Sequence, residues 1–349
     1  MDLISNNHNI LFRCDGSKEI GLGHVVRCFA LADELQKQNK ESVITFAMLN
    51  SNLGIQIIEN NYNILTETET NSSFEYEKWL SKCIKTTKAK ILILDVRDGL
   101  TTNYITKLKK LGILIITLDD PEEKRLSVDL AFYPPIPQVK KLSWNNFNGQ
   151  LFSDWKYVIL NSNFPSSNPK KTNSTPKILV SMGGTDIKGF TLLAIKALIE
   201  IEESFFTTVL LGPGCSDRRK LNTLLANNKR FKIQLFCEDL NKLMSESDIA
   251  IASFGVTAYE LAHIGVPSIL VSLTEDHAES ASIFADEEIG ISIGYNHAVN
   301  KNSIKSAVKT LLSDVSRRKK MSRRAKNLID GKGAYRIAKK IYSTINNKK

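Results

Sequence analysis

The stretch RCDGSKEIGLGHVVRC, residues 13–28, decides how the first part of this chain folds. A short run typical of a β-strand, residues 9–12, precedes it, and Gly21 and Gly23 lie in a polar turn. Behind the turn, apolar residues recur at helical spacing, at Val25, Val26, Phe29, Ala30, Leu31 and Leu35. The stretch therefore predicts a strand, a glycine loop and a helix whose free backbone N–H groups face one point, where an anion could bind.

His24 stands at the start of that predicted helix, where a proton-transfer group would face a bound phosphate. The glycines do not match the G-x-G-x-x-G dinucleotide fingerprint, because His24 and Arg27 follow the second glycine, and a nicotinamide site is disfavoured. Taken alone, the segment also fits an ordinary strand–helix turn in which His24 only caps the helix. The rest of the chain has to decide between these two interpretations.

Length and composition indicate a soluble globular protein with two domains. The chain has 349 residues, of which 42% are hydrophobic and 24% charged, which is ordinary for this class. The first residues lack the pattern of a signal peptide and every apolar run is shorter than a membrane span, so we expect a cytoplasmic protein. The five cysteines are scattered without C-x-x-C pairing, which argues against a disulfide framework or a zinc site. We expect neither a metal nor a cofactor.

The formal net charge of +10 favours an anionic ligand: a nucleotide sugar, an acidic lipid surface or a nucleic acid. Much of this charge lies near the carboxyl end, at Arg317, Arg318, Lys319, Lys320, Arg323, Arg324 and Lys326. A solvated helix face is the favoured interpretation. Nucleic acid is disfavoured because no aromatic residues interleave with the charges, whereas peripheral association with a membrane surface stays open. No obligate protein partner is indicated.

Alternating strand and helix patterns predict two α/β domains. Strands are predicted in the first half at residues 10–14, 42–48, 91–95, 113–118 and 130–132. The runs ILILD and ILIITLDD are continuously apolar, as central parallel strands are, and end in Asp95 and in Asp119 and Asp120. Polar residues at the carboxyl ends of such strands lie where open α/β sheets bind ligands. Asp119 and Asp120 could hold Mg²⁺, but a structural role is favoured for the pair.

The domain boundary is predicted from a stretch without periodicity, residues 133–176, which contains six prolines. Its later part, residues 164–176, has the composition of a linker, and the alternation resumes at residue 177. The predicted fold is therefore two doubly wound, Rossmann-like domains that face each other across a cleft. The first, residues 1–163, carries the His24 loop, and the second, residues 177–349, includes the basic carboxyl-terminal helices.

Two loops of the second domain predict a site for a nucleoside diphosphate. Gly183 and Gly184, followed by Thr185, lie between a strand and a helix, where bare backbone N–H groups can approach phosphate. Taken alone, this loop is equally well explained as a tight turn. The second loop is more specific: Ser253, Gly255, Val256 and Thr257 open a helix, and Glu260 lies one helical turn further on, within reach of a ribose.

Taken together, the pattern R-x-D-x-S-x-x-I-G-x-G-H-x-x-R-C and the two later loops resemble one family over roughly residues 10–295. This family comprises the UDP-diacetamido-trideoxyaltrose hydrolases of pseudaminic acid synthesis and their spore-coat polysaccharide relatives. It is similar to the superfamily of cell-wall N-acetylglucosaminyl transferases. The resemblance implies a GT-B fold, a ribose-binding role for Glu260, and base contacts by the backbone around Phe236 and Cys237.

The chain departs from this family pattern where the sugar would bind. After the strand at residues 268–271 it has SLTEDHAES, so that Asp276, His277 and Glu279 stand where the family tends to have Asn-Gln. We expect residues 274–280 to form a loop whose side chains contact the sugar, and the sugar to differ from the diacetamido one. Asp95 is followed by Val96 where the family has an aromatic residue.

We therefore predict a metal-independent, inverting nucleotide-sugar hydrolase of nonulosonic acid or surface polysaccharide biosynthesis. His24 would be the general base that activates water, since its unperturbed pKa lies near neutrality. Asp15, Ser17 and Arg27, with the glycines Gly21 and Gly23, would contact sugar or phosphate, although Arg27 could also be a simple surface charge. The alternative is a GT-B glycosyltransferase that uses a UDP-sugar donor, and a catalytically silent binding module is the least favoured.

Overall fold

The computed structural model describes residues 8–17, 21–49, 52–67, 74–161, 175–184, 186–212, 214–235 and 239–347. The chain divides into two compact units, one of Met1–Ser162 with Gly331–Lys349 and the other of Asn163–Asp330. Each unit is built on its own parallel sheet. The predicted linker, residues 164–176, lies almost wholly outside the described residues.

The first unit alternates strands and helices from its first described residues. Its elements are β1 (Asn9–Cys14), α1 (Gly23–Gln38), β2 (Val43–Leu49), α2 (Asn52–Ile58), β3 (Asn63–Glu67), α3 (Tyr76–Thr87), β4 (Ile91–Asp95), α4 (Thr102–Lys110), β5 (Leu114–Leu118), β6 (Leu130–Tyr133), α5 (Gln138–Lys141) and β7 (Gln150–Ser153). The strand order is β3-β2-β1-β4-β5-β6-β7, with every neighbouring pair parallel. The order reverses direction between β1 and β4, which makes the carboxyl ends of these two strands the expected ligand position.

Burial explains why these segments fold as they do. Every residue of β4 and of β5 is buried, as their continuously apolar sequences predicted, because helices cover both faces of a doubly wound sheet. On α1, the buried residues follow helical spacing and pack against one face of the sheet; they are Val25, Cys28, Leu31, Ala32 and Leu35. The edge strands β3 and β7, which the sequence did not predict, are mostly half-buried or exposed.

The second unit repeats the same plan. Its elements are β8 (Lys177–Ser181), α6 (Phe190–Ile199), β9 (Phe206–Leu210), α7 (Arg218–Leu225), β10 (Phe231–Gln234), α8 (Leu240–Ser245), β11 (Ile249–Ser253), α9 (Val256–Ile264), β12 (Ser268–Ser272), α10 (Glu275–Asp286), β13 (Gly290–Tyr295), α11 (Lys301–Ser313) and α12 (Val315–Leu328). The parallel strand order is β10-β9-β8-β11-β12-β13, which reverses between β8 and β11. Two Rossmann-like α/β domains are therefore confirmed.

The last helix, α13 (Gly333–Asn346), packs in the first unit and not in the second, where it was predicted. Its apolar stripe, which includes Ile337 and Ile341, joins the core that α1 covers. The Tyr342 hydroxyl lies 3.0 Å from the Leu35 carbonyl oxygen and donates to it. A Cβ on Gly333 would lie 1.9 Å from the Val158 carbonyl oxygen, so the chain can enter this helix only through a glycine. The second unit accordingly ends at Asp330 and not at residue 349.

The basic helix α12 lies in the second unit, and the fold uses several of its charges. Lys320 and Arg324 pair with Glu288 at 2.7 and 2.5 Å. Arg318 donates to the Leu312 carbonyl oxygen at the end of α11, over 3.1 Å. In the part of the chain that the structure describes, no helix combines the length and the apolar character that crossing a membrane requires.

Candidate active site

The connection from β1 to α1 holds His24 at the carboxyl edge of the first sheet. A Cβ on Gly16 would lie 2.7 Å from Val25 Cγ2, so the chain can pass this close to α1 only with a glycine here. Gly21 has a φ of +79° and donates its N–H to the Ser17 carbonyl oxygen over 3.0 Å. His24 is the second residue of α1, as the sequence predicted.

His24 is hydrogen-bonded to an aspartate at the end of the adjacent strand. Its Nδ1 lies 2.7 Å from Oδ1 of Asp95, and Asp95 pairs with Cys14 in the parallel register of β1 and β4. The Asp95 side chain is 1% exposed, whereas that of His24 is 31% exposed. An ionised carboxylate only accepts hydrogen bonds, so in the neutral ring Nδ1 carries the proton and Nε2 is the acceptor. This is the arrangement of a histidine base that an aspartate orients.

Asp95 receives further donors from the same face of α1. Arg27 donates from Nε to Oδ2 over 2.5 Å and from Nη2 to Oδ1, and the Cys28 thiol lies 3.3 Å from Oδ2. Burial alone would raise the pKa of Asp95, but the Arg27 charge and the bonds from Arg27 and His24 hold it well below its ordinary value. Asp95 is therefore an anion at neutral pH.

The predicted substrate contacts Asp15 and Ser17 serve the fold in this structure. One Asp15 oxygen pairs with Arg13 at 2.6 Å, and the other accepts the Leu49 N–H over 2.7 Å, which ties the ends of β1 and β2 together. The carbonyl of Ser17 holds Gly21. Whether either residue, or Gly21 or Gly23, also contacts substrate stays a prediction.

Asp119 and Asp120 turn toward different partners. Asp119, with a φ of +52°, lies 3.1 Å from Nη1 of Arg27. Asp120 is buried 3.1 Å from the ammonium of Lys124, which is itself fully buried, and burial raises the pKa of Asp120 to about 6. The favoured structural role of the pair agrees with this arrangement. Among the described residues, no group of three or more His, Cys, Asp or Glu side chains could hold a metal ion.

The glycine loop after β8 differs from its prediction in one respect. Gly183 has a φ of +79°, and a Cβ on Gly212 would lie 2.3 Å from the carbonyl oxygens of Gly183 and Gly184, so the two segments pack backbone against backbone. The next helix, α6, begins only at Phe190, and Asp186 caps it by accepting the N–H groups of residues 190 and 191 over 2.8 and 2.9 Å. Asp186 thus occupies the N-terminus of α6, and only the backbone N–H groups of the loop could bind a phosphate there. Thr185 lies outside the described residues.

The turn from β11 to α9 lies beside that loop. Ser253 ends β11, and its Oγ would lie 3.5 Å from a Cβ on Gly183, because β8 and β11 are parallel neighbours. The helix α9 begins at Val256, and its N-cap residue Gly255 has no side chain with which to cap it; the Ala258 N–H donates to the Gly255 carbonyl oxygen over 3.0 Å. Its first turn, which includes Thr257, therefore presents backbone N–H groups at the point where the strand order reverses.

Glu260 is a buried carboxyl group in the second turn of α9. It is 9% exposed, and burial, the one influence on its pKa, raises the pKa from 4.5 to about 7. No charged or hydrogen-bonding group of the described residues thus stabilises the carboxylate. Such a group gains most from a ligand that brings hydrogen-bond donors, such as the hydroxyls of a ribose.

The segment 274–280 was predicted to be a loop, and this prediction is wrong. Thr274 accepts the N–H of His277 over 3.1 Å as the N-cap of α10, whose first turn contains Glu275 and Asp276. A threonine followed by acidic residues is a typical helix start. The helix nevertheless adjoins the turn from β11 to α9, because the rings of His277 and Phe254 are 6.2 Å apart and Phe254 precedes Gly255.

The sugar-binding roles of Asp276, His277 and Glu279 stay predictions. Phe236 and Cys237, the predicted base contacts, lie outside the described residues.

Asp95 is the residue of the candidate site that the sequence did not assign. Its position at the end of an apolar strand was visible, but its partner lies 71 residues earlier in the chain.

A protein-family model, the glycosyltransferase family 28 C-terminal domain, matches residues 159–341, just over half of the 349-residue chain. The spore coat polysaccharide biosynthesis protein SpsG of Bacillus subtilis is 23% identical over 93% of this chain and 94% of its own length. A UDP-2,4-diacetamido-2,4,6-trideoxy-beta-L-altropyranose hydrolase of Campylobacter jejuni is 26% identical over 70% of this chain and 84% of its own length. An uncharacterized protein of Methanocaldococcus jannaschii is 26% identical over 75% of this chain, which spans 55% of that relative.

Among solved structures, MurG of Acinetobacter baumannii superposes with a TM-score of 0.71 and 16% identity, over 97% of this chain and all of that one. At this identity the likeness concerns the fold. It confirms the predicted GT-B fold class of two Rossmann-like domains.

Proposed function

Because the chain belongs to the family that carries the glycosyltransferase family 28 C-terminal domain, we propose that it cleaves the sugar–phosphate bond of a UDP-sugar. The second unit would bind the nucleotide. Loop amides at Gly183 and the open first turn of α9 would face the diphosphate, and Glu260 would accept hydrogen bonds from the ribose. Positive helix-terminal dipoles there would stabilise the negative charge that develops on the leaving diphosphate.

The observation that carries the proposal is the hydrogen bond of 2.7 Å between His24 and Asp95. Asp95 holds the ring with Nε2 as acceptor, so His24 can remove a proton from the nucleophile as it attacks the anomeric carbon. The electron pair of the sugar–phosphate bond leaves with the diphosphate. A single direct displacement of this kind inverts the anomeric configuration.

We propose water as the nucleophile, which makes the protein a hydrolase that releases free sugar and UDP. The name of the Campylobacter relative supports this acceptor. The second candidate is a glycosyltransferase, in which His24 deprotonates an acceptor hydroxyl, and the matching family model favours it. The name of the Bacillus relative supports a place in surface polysaccharide biosynthesis; nonulosonic acid biosynthesis rests on the sequence resemblance alone.

Product analysis without an acceptor separates the two candidates. The purified protein would be incubated with a panel of UDP-sugars, and UDP and the free sugar with its anomeric form would be followed by NMR. We expect stoichiometric UDP and free sugar of inverted configuration, and none from the matched variant Asp95→Asn. Release of UDP only after an acceptor is added would make the protein a transferase, and retained configuration would exclude His24 as the base for a direct attack.

A further inference from the structure

Arg27 was predicted to contact sugar or phosphate, yet its guanidinium is already committed to two carboxylates. Nε and Nη2 donate to Asp95, and Nη1 lies 3.1 Å from Asp119. The side chain is 16% exposed, so little of it is open to a ligand. All three nitrogens therefore bind carboxylates of the protein, and a substrate could bind one of them only if an ion pair were broken.

The same guanidinium lies against the base. Its Nη2 is 3.1 Å from Nδ1 of His24, and because both atoms carry protons they share the Asp95 carboxylate as acceptor. A buried carboxylate beside a histidine favours protonation of the histidine, because the imidazolium and the carboxylate then form an ion pair. A protonated ring can no longer accept a proton. The positive charge of Arg27 opposes that protonation, because it neutralises Asp95 and repels a second charge on the ring.

Resting on the function proposed above, we propose that Arg27 is a positioning residue whose charge, balanced between Asp95 and Asp119, keeps His24 unprotonated so that it can act as a base. Asp119 has the opposite effect: its carboxylate pairs with Nη1 of Arg27 and so partly offsets the positive charge that acts on Asp95 and His24. Among the described residues, the Cys28 thiol also faces this cluster, 3.3 Å from Oδ2 of Asp95, and Cys14 lies beside Cys28. Burial raises the pKa of Cys28 well above its ordinary value, so that thiol is neutral.

Three variants test the proposal, because they should shift the acid limb of the pH profile up, down and not at all. Arg27→Met removes the balancing charge, so the acid limb of the kcat/KM profile should move to higher pH by about one unit. Asp119→Asn leaves more of the Arg27 charge for Asp95, so the limb should move to lower pH, by about half a unit. Arg27→Lys keeps the charge without the two-pronged geometry, so the limb should stay near its native position while kcat falls. KM for the UDP-sugar should stay within about twofold in all three, since no substrate contact is lost.

The His24 ring would also be titrated by NMR with labelled histidine, in the free protein and in each variant. This readout needs no substrate, so it separates the two proposals: shifted titrations in a protein that turns over no UDP-sugar would overturn the proposed function and leave the charge balance standing. A tenfold rise in KM for Arg27→Met with an unmoved titration would make Arg27 a substrate contact and overturn the inference. Should Arg27→Met fail to fold, Asp119→Asn decides, because Asp119 is 26% exposed; an unmoved titration there would equally refute it.

Discussion

Replacing Glu260 with glutamine should make the protein more stable and at the same time a poorer binder of UDP. The fold raises the pKa of this carboxyl from 4.5 to about 7, so between these values the native state binds a proton that the unfolded chain releases. Stability therefore falls as the pH rises through this window, and the loss is complete above pH 7. A shift of this size corresponds to about 3 kcal/mol at 1.36 kcal/mol per unit.

Glu260→Gln removes this charge while it keeps the shape of the side chain. At pH 8 we expect the free energy of unfolding to rise by up to about 3 kcal/mol, with no gain near pH 4. Binding of UDP should weaken by about 1.5–3 kcal/mol, because the amide replaces a charged acceptor of the ribose hydroxyls.

Urea unfolding at several pH values would measure the first effect and calorimetric titration with UDP the second. Glu287→Gln is the matched control, since Glu287 is exposed in the same unit and should change neither quantity. A variant whose stability follows the wild-type pH curve would show that Glu260 is not held protonated by burial. Unchanged affinity for UDP in a folded variant would refute its ribose-binding role.

Three further predictions test the remaining parts of the site. His24→Ala should lower kcat by about two to four orders of magnitude, the range of general acid–base catalysis, with UDP affinity unchanged; near-native turnover would make His24 structural. Activity should persist in excess EDTA, and complete loss restored by Mg²⁺ or Mn²⁺ would assign the diphosphate contacts to a metal. Exchanging Asp276 and His277 for Asn and Gln should raise kcat/KM for the diacetamido-trideoxyaltrose nucleotide, and a native enzyme already efficient on that sugar would contradict the sugar assignment.

The sequence predicted the features that local patterns determine and missed those that depend on contacts between distant segments. Strands such as β4 and β5 were predicted because a parallel strand buried on both faces has to be apolar throughout. The edge strands β3 and β7 carry no such signal, since half of their surface meets solvent. The error at residues 274–280 was avoidable, because Thr274 and the acids behind it form a recognisable helix start. The stripe on α13 was equally visible, but an apolar stripe does not specify which sheet it will cover.

The two reversal points of strand order carry carboxyl groups in contrasting environments, and this contrast agrees with the separate roles proposed for them. Asp95 is surrounded by donors from His24, Arg27 and Cys28, so the protein itself satisfies the charge and the group is an anion that orients the His24 ring. Glu260 meets no such donors among the described residues, and burial favours its neutral form. A carboxylate that already accepts hydrogen bonds from the protein is stable without a ligand. A buried carboxylate without such bonds is destabilising until a ligand supplies hydrogen-bond donors. The contrast therefore supports the proposal that Asp95 orients a base and that Glu260 binds a ribose.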